Sequence, residues 1–323
     1  MKFTSISFAA VACLALGVTA GCSSSGDDSG GGSNASAGAT NSSATGTTGN
    51  IAEGVSADPA SVALLPASIK TKGAITVAMD LQYPPTSFLN TSNQPVGFNV
   101  DISRLLAAKL GLKLNIENVS FSTIIPGITG GRYDFTATDM SATPERLKVL
   151  DMINYWSDGS SLGVKAGNPD HLNINDSSVC GKSIAVMTGS TQQETYLPAL
   201  SKNCTSSGKP AIKTVVLPNV NTALTQLSSG RINGIFYDTP SLAWAVQEHG
   251  SAFAVTADQY DKPASLGNDL VALGLAKDSP LTAAMQKAMQ SIIDSPLYLK
   301  ALNNWGLGGG AIKTADKASA TSS

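Results

Sequence analysis

The 323-residue sequence predicts an α/β protein built from two lobes, each a mostly parallel sheet flanked by helices. Short β-rich runs alternate with amphipathic helical stretches, a pattern that is typical of parallel sheets covered by helices. The alternation stops after Pro169 and then restarts, which divides it into two series. About 270 residues follow a low-complexity N-terminal region, more than one average domain and enough for two modest ones.

The N-terminal segment MKFTSISFAAVACLALGVTAGC has one early lysine, a short apolar run and small residues before a cysteine. The apolar run is too short to span a bilayer and has the form of an export signal. It resembles a bacterial lipoprotein signal, although Thr19 stands where that motif usually has Leu. We therefore expect a signal peptide at residues 1–21 and lipidation at Cys22. An ordinary cleaved signal with a coincidental cysteine is the alternative.

Residues 22–60 are predicted to form a disordered, Ser/Gly-rich tether. From Ser23 to about Asn50 nearly every residue is Ser, Gly, Asn, Thr or Ala, which offers too little apolar surface to fold. Acyl chains on Cys22 would hold the protein on the outer face of the bacterial cell membrane. The last residues, 313–323, are rich in Ala, Ser and Thr and are expected to form a disordered tail.

Cysteine and charge usage exclude several functional classes. Two of the four cysteines lie in the leader and at the proposed anchor, which leaves Cys180 and Cys204. A disulfide is expected for such a pair in an exported chain, with two buried free thiols as the alternative. Only His171 and His249 could add imidazole ligands, so no metal or other cofactor is expected. The formal net charge of −2, without a long basic run, argues against nucleic-acid binding.

The first series of elements begins with a strand at GAITVAMD (73–80). NVDISRLLAAKLG (99–111) has apolar residues at helical spacing and ends on a glycine that suits a C-cap. LKLNIENV (112–119) alternates like a strand, STIIPGITGG (122–131) predicts a short helix, and YDFTATD (133–139) predicts a strand.

The second series starts with the strand SIAVMT and the helix STQQETYLPAL. It continues through IKTVVLPN (strand), NTALTQLSSG (helix), INGIFYD (strand), SLAWAVQEHG (helix) and AFAVT (strand). VALGLAK (271–277) predicts a further strand, and one long helical segment is expected from Ser279 to about Trp305.

The junctions between strands and helices are the places to search for a site, because ligands of such sheets bind at strand C-termini and helix N-termini. The junctions with informative side chains are MDLQYPP (79–85), SFSTIIP (120–126), TDMSATPER (138–146), MTGSTQQ (187–193) and FYDTP (236–240). In the third of these, Arg146 lies near a predicted helix start, where the macrodipole disfavours a cation. Either Arg146 is solvated or an anion meets it.

Each junction also has a purely structural interpretation. Ser190 or Thr191 would serve as an N-cap, Asp238 as a turn residue, and Tyr83 and Phe121 as core aromatics. Together, however, the junctions supply a guanidinium and a helix N-terminus for an anion, a carboxylate for a cation, and two aromatic faces. A free amino acid carries that pair of charges on one carbon.

The stretch from GAITVAMDLQYPP to TPERLKVLD resembles the first lobe of the family 3 extracellular solute-binding proteins, the polar amino-acid receptors of ATP-driven importers. The resemblance covers roughly Ile69 to Trp305, and its strongest motifs are GFNVDI, the TPER arginine and GSTQ. It implies a type II periplasmic-binding-protein fold with a two-strand hinge. Lobe 1 would comprise residues 61–163 and 264–312, and lobe 2 residues 164–263. The cysteine pair would then join the first strand of lobe 2 to the turn after its first helix.

The resemblance also implies a set of ligand-binding residues, which are Asp80, Tyr83, Phe121, Thr138, Asp139, Ser141, Arg146, Ser190, Thr191, Gln192 and Asp238. Within this set, Arg146 would grip the α-carboxylate and Asp238 would pair with the α-ammonium group. In receptors for basic ligands, the position of Asp80 reaches the distal side chain. Two residues depart from the family pattern: Thr86 replaces Phe or a similar apolar residue, and Asp139 occupies a slot that is commonly Ser, Gly or Ala.

The predicted function is that of a non-catalytic receptor, a monomer anchored to the membrane by lipid, which binds a free amino acid between closing lobes. It would deliver this ligand to the permease and ATPase of an ABC importer. Asp80 and Asp139 favour a cationic ligand, and a neutral polar one such as glutamine stays open.

The alternative is an enzyme resembling the cyclohexadienyl or arogenate dehydratases, with Asp139 or Asp80 as the acid. GSSLG (159–163) also matches a hydrolase motif, with Asp238 and His249 downstream, but no helix is predicted to follow it.

Overall fold

The computed structural model describes residues 49–263 and 269–319. The predicted signal peptide and Cys22 lie outside this range. The strands are β1 (Ala74–Met79), β2 (Gln82–Tyr83), β3 (Ser87–Leu89), β4 (Pro95–Val96), β5 (Lys113–Asn118), β6 (Phe135–Ser141), β7 (Leu150–Ser157), β8 (Ser160–Lys165), β9 (Ser183–Met187), β10 (Lys213–Leu217), β11 (Gly234–Asp238), β12 (Phe253–Val255) and β13 (Leu270–Ala276). The helices are α1 (Pro59–Ala63), α2 (Ala67–Lys72), α3 (Phe98–Leu110), α4 (Phe121–Thr129), α5 (Pro144–Leu147), α6 (Leu197–Ser206), α7 (Val220–Ser228), α8 (Thr239–His249), α9 (Thr282–Ile293) and α10 (Pro296–Asn304).

Two five-stranded sheets define the two predicted lobes. The first has the order β5-β1-β6-β13-β7, with β1 parallel to β5 and β6, and β13 antiparallel to both neighbours. The second has the order β10-β9-β11-β8-β12, with β9 parallel to β10 and β11, and β8 antiparallel to both neighbours. The chain crosses between the sheets twice, from β7 to β8 and from β12 to β13. Because β8 starts at Ser160, the second sheet begins ahead of the boundary predicted after residue 163.

The core of lobe 1 forms where α3 and α9 cover the first sheet. Leu105 and Leu106 of α3 and Met285 and Met289 of α9 are fully buried in one apolar cluster. Gly111 ends α3 in the left-handed conformation, as the C-cap prediction requires. The apolar spacing that predicts the helix is therefore the spacing that packs it onto the sheet.

The predicted long helix from Ser279 to Trp305 is two helices in the structure. α9 ends at Ile293, and α10 begins at Pro296 with Ser295 as its N-cap residue. Proline has no N–H to continue the hydrogen-bond ladder of a preceding helix, but it is well tolerated in the first turn of a new one. The apolar periodicity continues across the break, so periodicity alone misses it.

The predicted tether is too long at its C-terminal end. Ile51 is buried against the core of lobe 1. Asp58 caps α1 by accepting a hydrogen bond from the backbone N–H of Ser61, and Val62 and Leu65 pack on the same core. These apolar residues give residues 51–65 enough surface to bury, unlike the Ser/Gly-rich stretch before them.

The C-terminal segment also differs from the predicted disordered tail, because residues 313–319 pack along β7. The N–H of Asn154 donates to the carbonyl of Asp316 at 2.9 Å, and the N–H of Ala318 donates to that of Met152 at 2.8 Å. Ala315 is buried, and the ammonium of Lys317 lies 2.9 Å from the buried carboxylate of Asp151. The segment extends the first sheet beyond its outer strand.

Deletion of residues 311–323 is expected to lower the free energy of unfolding by about 2–4 kcal/mol, since it removes backbone hydrogen bonds, a buried side chain and a partner of Asp151. Urea unfolding of the deletion variant measures this loss. Lys317→Ala should reproduce part of it, and Lys313→Ala, at an exposed neighbouring lysine, serves as the matched control. An unchanged midpoint in the deletion variant would show that the segment does not hold the sheet edge.

Cys180 and Cys204 form a disulfide in lobe 2, with their Cα atoms 5.6 Å apart. Cys180 follows the short 3-10 helix Ser177–Val179 and precedes β9 rather than lying in that strand. Cys204 lies within α6 rather than in a turn after it. The helix continues to Ser206 because Leu197, Leu200 and Cys204 form one buried stripe at helical spacing.

Candidate functional site

Arg146 connects the two lobes at the centre of the site. Its Nη1 donates to the carbonyl of Ser141 at 3.0 Å and to the hydroxyl of Thr191 at 3.1 Å, and its Nη2 donates to the carbonyl of Gly189 at 2.9 Å. The residue is only 4% exposed, and its guanidinium lies 5.6 Å from the ring centre of Phe121. Arg146 is therefore not a solvated surface arginine.

The local fold explains how Arg146 reaches this position. Thr143 is the N-cap of α5, and its hydroxyl accepts from the N–H of Arg146 at 3.3 Å. α5 is a single turn, so the predicted conflict with a helix macrodipole is much smaller than expected. Burial lowers the pKa of Arg146, and the nearby Glu194 and Glu145 act in the opposite direction. A guanidinium remains charged even so.

The turn at residues 189–191 forms the lobe 2 side of the Arg146 contact. Gly189 has a φ of +76°, in the left-handed region that glycine adopts without strain, and this conformation presents its carbonyl to Arg146. The hydroxyl of Ser190 accepts from the N–H of Gln193 at 3.2 Å. Ser190 thus has the capping contact of the structural interpretation, whereas the hydroxyl of Thr191 faces the site.

Asp238 lies at the end of β11, where its carboxylate accepts a hydrogen bond of 2.6 Å from the side chain of Gln192. The same Gln192 amide nitrogen lies 2.9 Å from the hydroxyl of Ser160. Burial raises the pKa of Asp238 to about 7, because it penalises the charged form. Gln192 belongs to a π-helical turn (Gln192–Tyr196) that precedes α6, and such turns occur often at functional sites.

Asp80 supplies a second buried carboxylate at the end of β1. Its oxygens accept from the N–H of Gln82 at 3.1 Å and the N–H of Phe121 at 3.2 Å. Burial raises its pKa, and those two hydrogen bonds partly offset the rise. The N–H of Asp80 is 3.5 Å from the hydroxyl of Thr138 on β6, which places the ends of the two strands side by side.

The aromatic residues lie where the lobes meet. The ring of Tyr83, in lobe 1, is 5.1 Å from the ring of Tyr237 in lobe 2, and Tyr237 directly precedes Asp238. Tyr83 and Phe121 are nearly buried and belong to an apolar cluster with residues of both sheets. They are therefore aromatics of the interface between the lobes rather than of one lobe's core.

Asp139 is directed into lobe 1. Its carboxylate accepts a hydrogen bond from the hydroxyl of Thr86 and another, of 3.3 Å, from the side-chain amide of Asn99. Burial raises its pKa to about 7, against the lowering effect of the hydrogen bonds from Thr86 and Asn99. The two residues that depart from the family pattern, Thr86 and Asp139, are thus hydrogen-bonded to each other.

Of the predicted site residues, Arg146 and Thr191 contact each other across the two lobes. Sequence reasoning missed Gly189, Asn99 and Tyr237, although each lies within or beside a motif it had singled out: GSTQ, GFNVDI and FYDTP. It also missed Ser160, which lies in the strand GSSLG and contacts Gln192. Their positions near strand ends or helix starts are the sequence feature that could have indicated these residues.

The hydrolase motif in GSSLG has no catalytic geometry in the described residues. Ser161 lies within strand β8, and its hydroxyl is 2.9 Å from the hydroxyl of Thr239. His249 ends α8 and packs its ring 6.0 Å from that of Phe253. No contact between Ser161 and His249 is found in the described part of the chain.

The chain belongs to the bacterial extracellular solute-binding proteins, family 3, whose family model matches residues 75–308. The family is defined by proteins that bind solutes outside the cytoplasm. Within residues 49–263 and 269–319, no helix combines the length and apolar character needed to cross a membrane.

Individual relatives agree with this assignment. The chain is 26% identical over 253 residues to the arginine-binding protein ArgT of Corynebacterium glutamicum, covering 78% of this chain and 81% of the relative. It is 29% identical over 236 residues to the probable ABC transporter arginine-binding protein ArtJ of Chlamydia trachomatis, covering 72% and 85%. The structure of an amino acid ABC transporter substrate-binding protein from Streptococcus pneumoniae bound to L-arginine superposes with a TM-score of 0.64 at 26% identity, covering 76% and 97%.

Proposed function

We propose that the protein is a non-catalytic receptor for a cationic α-amino acid, with L-arginine as the first candidate. The observation that carries this proposal is a set of buried charged side chains that form no salt bridge in the described residues. Among the residues described, Arg146, Asp238 and Asp80 take part in no ion pair, although all three are largely buried. Buried charges normally require a partner.

These charges complement a basic amino acid. Arg146 can bind an α-carboxylate through two parallel charge-assisted hydrogen bonds. Asp238 can pair with the α-ammonium group on the same carbon, and Asp80 can pair with a cationic side chain. Tyr83 and Phe121 add flat apolar surfaces that suit the aliphatic stem or the planar face of a guanidinium. The names of the relatives above, which are arginine-binding proteins, support the same ligand class.

The lobes suit a binding protein that closes on its ligand. Arg146 of lobe 1 contacts Thr191 and Gly189 of lobe 2, while Asp238 and Gln192 belong to lobe 2. A ligand held by both lobes would therefore stabilise their contact, as in hinge closure around a ligand. Because relatives belong to ABC transporters, we propose that the ligand passes to a permease and its ATPase. We also propose that Cys22 carries a lipid anchor and that the protein acts as a monomer.

A thermal-shift screen tests this proposal with L-arginine, L-lysine, L-ornithine and the remaining common amino acids. A ligand at 100 times its dissociation constant stabilises the folded state by about 2.7 kcal/mol, so a basic amino acid should raise the unfolding midpoint. Two analogues serve as matched controls. Agmatine lacks the α-carboxylate that Arg146 would bind, and citrulline replaces the guanidinium with a neutral group; both should give much smaller shifts than arginine.

No shift with any amino acid at millimolar concentration would contradict the proposal. Turnover of arogenate or prephenate by the purified protein would instead support the dehydratase alternative.

A further inference from the structure

Asp139 lies where the pairing between β6 and β13 is irregular. Thr136 pairs with Gly274 of β13 and Met140 pairs with Ala272, so residues 136–140 of β6 lie opposite the shorter stretch 272–274 of β13. Asp139 lies within this bulge and has a φ of +53°. Only glycine, asparagine and aspartate adopt that region readily, and bulges next to sites often redirect side chains.

The carboxylate of Asp139 is held by a buried hydrogen-bond network. Asn99, which donates to it, is fully buried. The side-chain oxygen of Asn99 accepts a hydrogen bond from the hydroxyl of Tyr155 at 2.6 Å. The backbone N–H of Asn99 donates to the carbonyl of Thr86 at 2.7 Å. The network therefore joins the bulge of β6 to the turn after β2, the first turn of α3 and the strand β7 that leads to the hinge.

Gly97 allows this network to form. It has a φ of +122°, and a Cβ atom there would collide with the carbonyl group of Thr86. The start of α3 and the Thr86 segment can approach this closely only with glycine at position 97. The approach sets the position of the Thr86 hydroxyl, which donates to Asp139.

The residues on either side of Asp139 contact the site. Thr138 approaches the N–H of Asp80, and the carbonyl of Ser141 accepts from Arg146. Thr86 in turn contacts the segment of Tyr83: its N–H and its hydroxyl lie 3.0 Å and 3.1 Å from the Tyr83 carbonyl. A change at Asp139 would thus reach both the arginine and the aromatic side of the cleft.

We propose that Asp139 is a positioning residue: held by Thr86 and Asn99, its carboxylate fixes the bulge of β6 and thereby the contact between Ser141 and Arg146. The proposal rests on the proposed function for its ligand readout. It replaces the direct ligand contact that the sequence predicts for Asp139.

The protonation state of Asp139 determines which group the Thr86 hydroxyl donates to. Thr86 has one hydroxyl proton, so it cannot donate to Asp139 and to the Tyr83 carbonyl at once. When Asp139 is ionised, Thr86 donates to it; when Asp139 is protonated, Asp139 donates to Thr86, whose own proton then reaches the Tyr83 carbonyl. Burial raises the pKa of Asp139 to about 7, which favours the protonated form below that pH. The titratable groups that face it are Asp158, Tyr155 and Tyr237; burial raises the pKa of each, and the charge of Asp139 raises it further.

The sign of the pH effect follows from this shift. The folded state holds its proton on Asp139 to a higher pH than the unfolded chain does, since the folded pKa is above the usual 3.8. The contribution of Asp139 to stability is therefore complete below about pH 4 and is lost as the pH rises towards 7. Variants that lack the carboxylate should lose that part of the pH dependence.

The test compares Asp139→Gly with Asp139→Ala, and Thr86→Val with Thr86→Ser. Glycine keeps the positive φ but removes the carboxylate, whereas alanine removes both. Valine removes the hydroxyl at nearly constant shape, and serine restores it. Thr71→Val is the matched control, because the Thr71 hydroxyl bonds only a carbonyl of its own helix. The readouts are calorimetric affinity for L-arginine and the pH profile of thermal unfolding between pH 4 and 8.

We expect Asp139→Gly to weaken arginine binding about tenfold or more, and Asp139→Ala further. Thr86→Val should weaken it several-fold, with recovery in Thr86→Ser, and adding Thr86→Val to Asp139→Gly should cost nothing more. Wild-type affinity in Thr86→Val beside a large loss in Asp139→Gly would overturn the proposal, since it indicates direct ligand contact. Additive losses would also overturn it.

The pH profile separates this proposal from the proposed function. If the wild type binds no amino acid, the proposed function fails, but the profile still reports on the network. A profile that is identical in the wild type, Asp139→Gly and Thr86→Val would overturn the positioning role. If Asp139→Gly does not fold, the Thr86→Val and Thr86→Ser pair carries the test alone.

Discussion

Replacing Arg146 with alanine should remove amino-acid binding while leaving the protein folded. The guanidinium is buried between the lobes and donates to Ser141, Gly189 and Thr191, so its loss removes the group expected to hold the α-carboxylate. Truncating one partner of a buried charge pair costs about 2–5 kcal/mol. At about 2–5 kcal/mol, the affinity falls roughly 30- to 5,000-fold. Isothermal calorimetry with L-arginine measures this change.

Two further variants sharpen the result. Arg146→Lys keeps the charge but loses the planar, forked donors, so it should recover only part of the affinity. Arg132→Ala removes an exposed arginine that stacks on Tyr133, and it should bind as the wild type does. Wild-type affinity in Arg146→Ala, with the protein shown to be folded by circular dichroism, would refute the proposed carboxylate site.

The second large effect concerns Asp238 and pH. Its carboxylate must be ionised to pair with an α-ammonium group, and burial raises its pKa to about 7. Binding of a cation favours the ionised form and lowers that pKa. Affinity should therefore fall as the pH drops below about 7, approaching tenfold per pH unit. Calorimetry between about pH 5.5 and 8 gives the slope, and buffers of different ionisation enthalpy give the protons released.

Asp238→Asn keeps the shape of the side chain and removes its charge. This variant should bind at least about a hundredfold more weakly at pH 8, and the slope due to Asp238 should disappear. The effect of pH on stability has the opposite sign to its effect on binding. Because the pKa of Asp238 is higher in the folded state than in the unfolded chain, its contribution to the free energy of unfolding is lost as the pH rises from about 4 to 7. A pH-independent affinity in the wild type would contradict the assigned role of Asp238.

Much of the fold follows from local sequence patterns. The helix Phe98–Leu110 combines an apolar stripe with a glycine C-cap, and both features are visible in the sequence. The break at Pro296 and the packed segment 313–319 were missed for physical reasons. Apolar periodicity continues through the proline, and the segment along β7 is held by backbone hydrogen bonds and by single side chains such as Ala315 and Lys317. Interactions of that kind leave little compositional signal.

The site shows a similar division. The residue types in TDMSATPER and FYDTP indicate complementary charges, and in the structure Arg146 contacts Thr191 while Asp238 contacts the adjacent Gln192. The partner of Asp139, however, is Thr86, far away in the sequence, and their contact depends on Gly97 and on the bulge of β6. Long-range register and close backbone approach decide such contacts, and one sequence does not reveal them.

The most direct test of the central claim is a crystal structure of the protein with L-arginine. The proposed function predicts one ligand between the lobes, with its α-carboxylate on Arg146 and its α-ammonium group on Asp238, and with its guanidinium towards Asp80. Arginine bound in the reverse orientation, or outside the cleft between the lobes, would contradict the account.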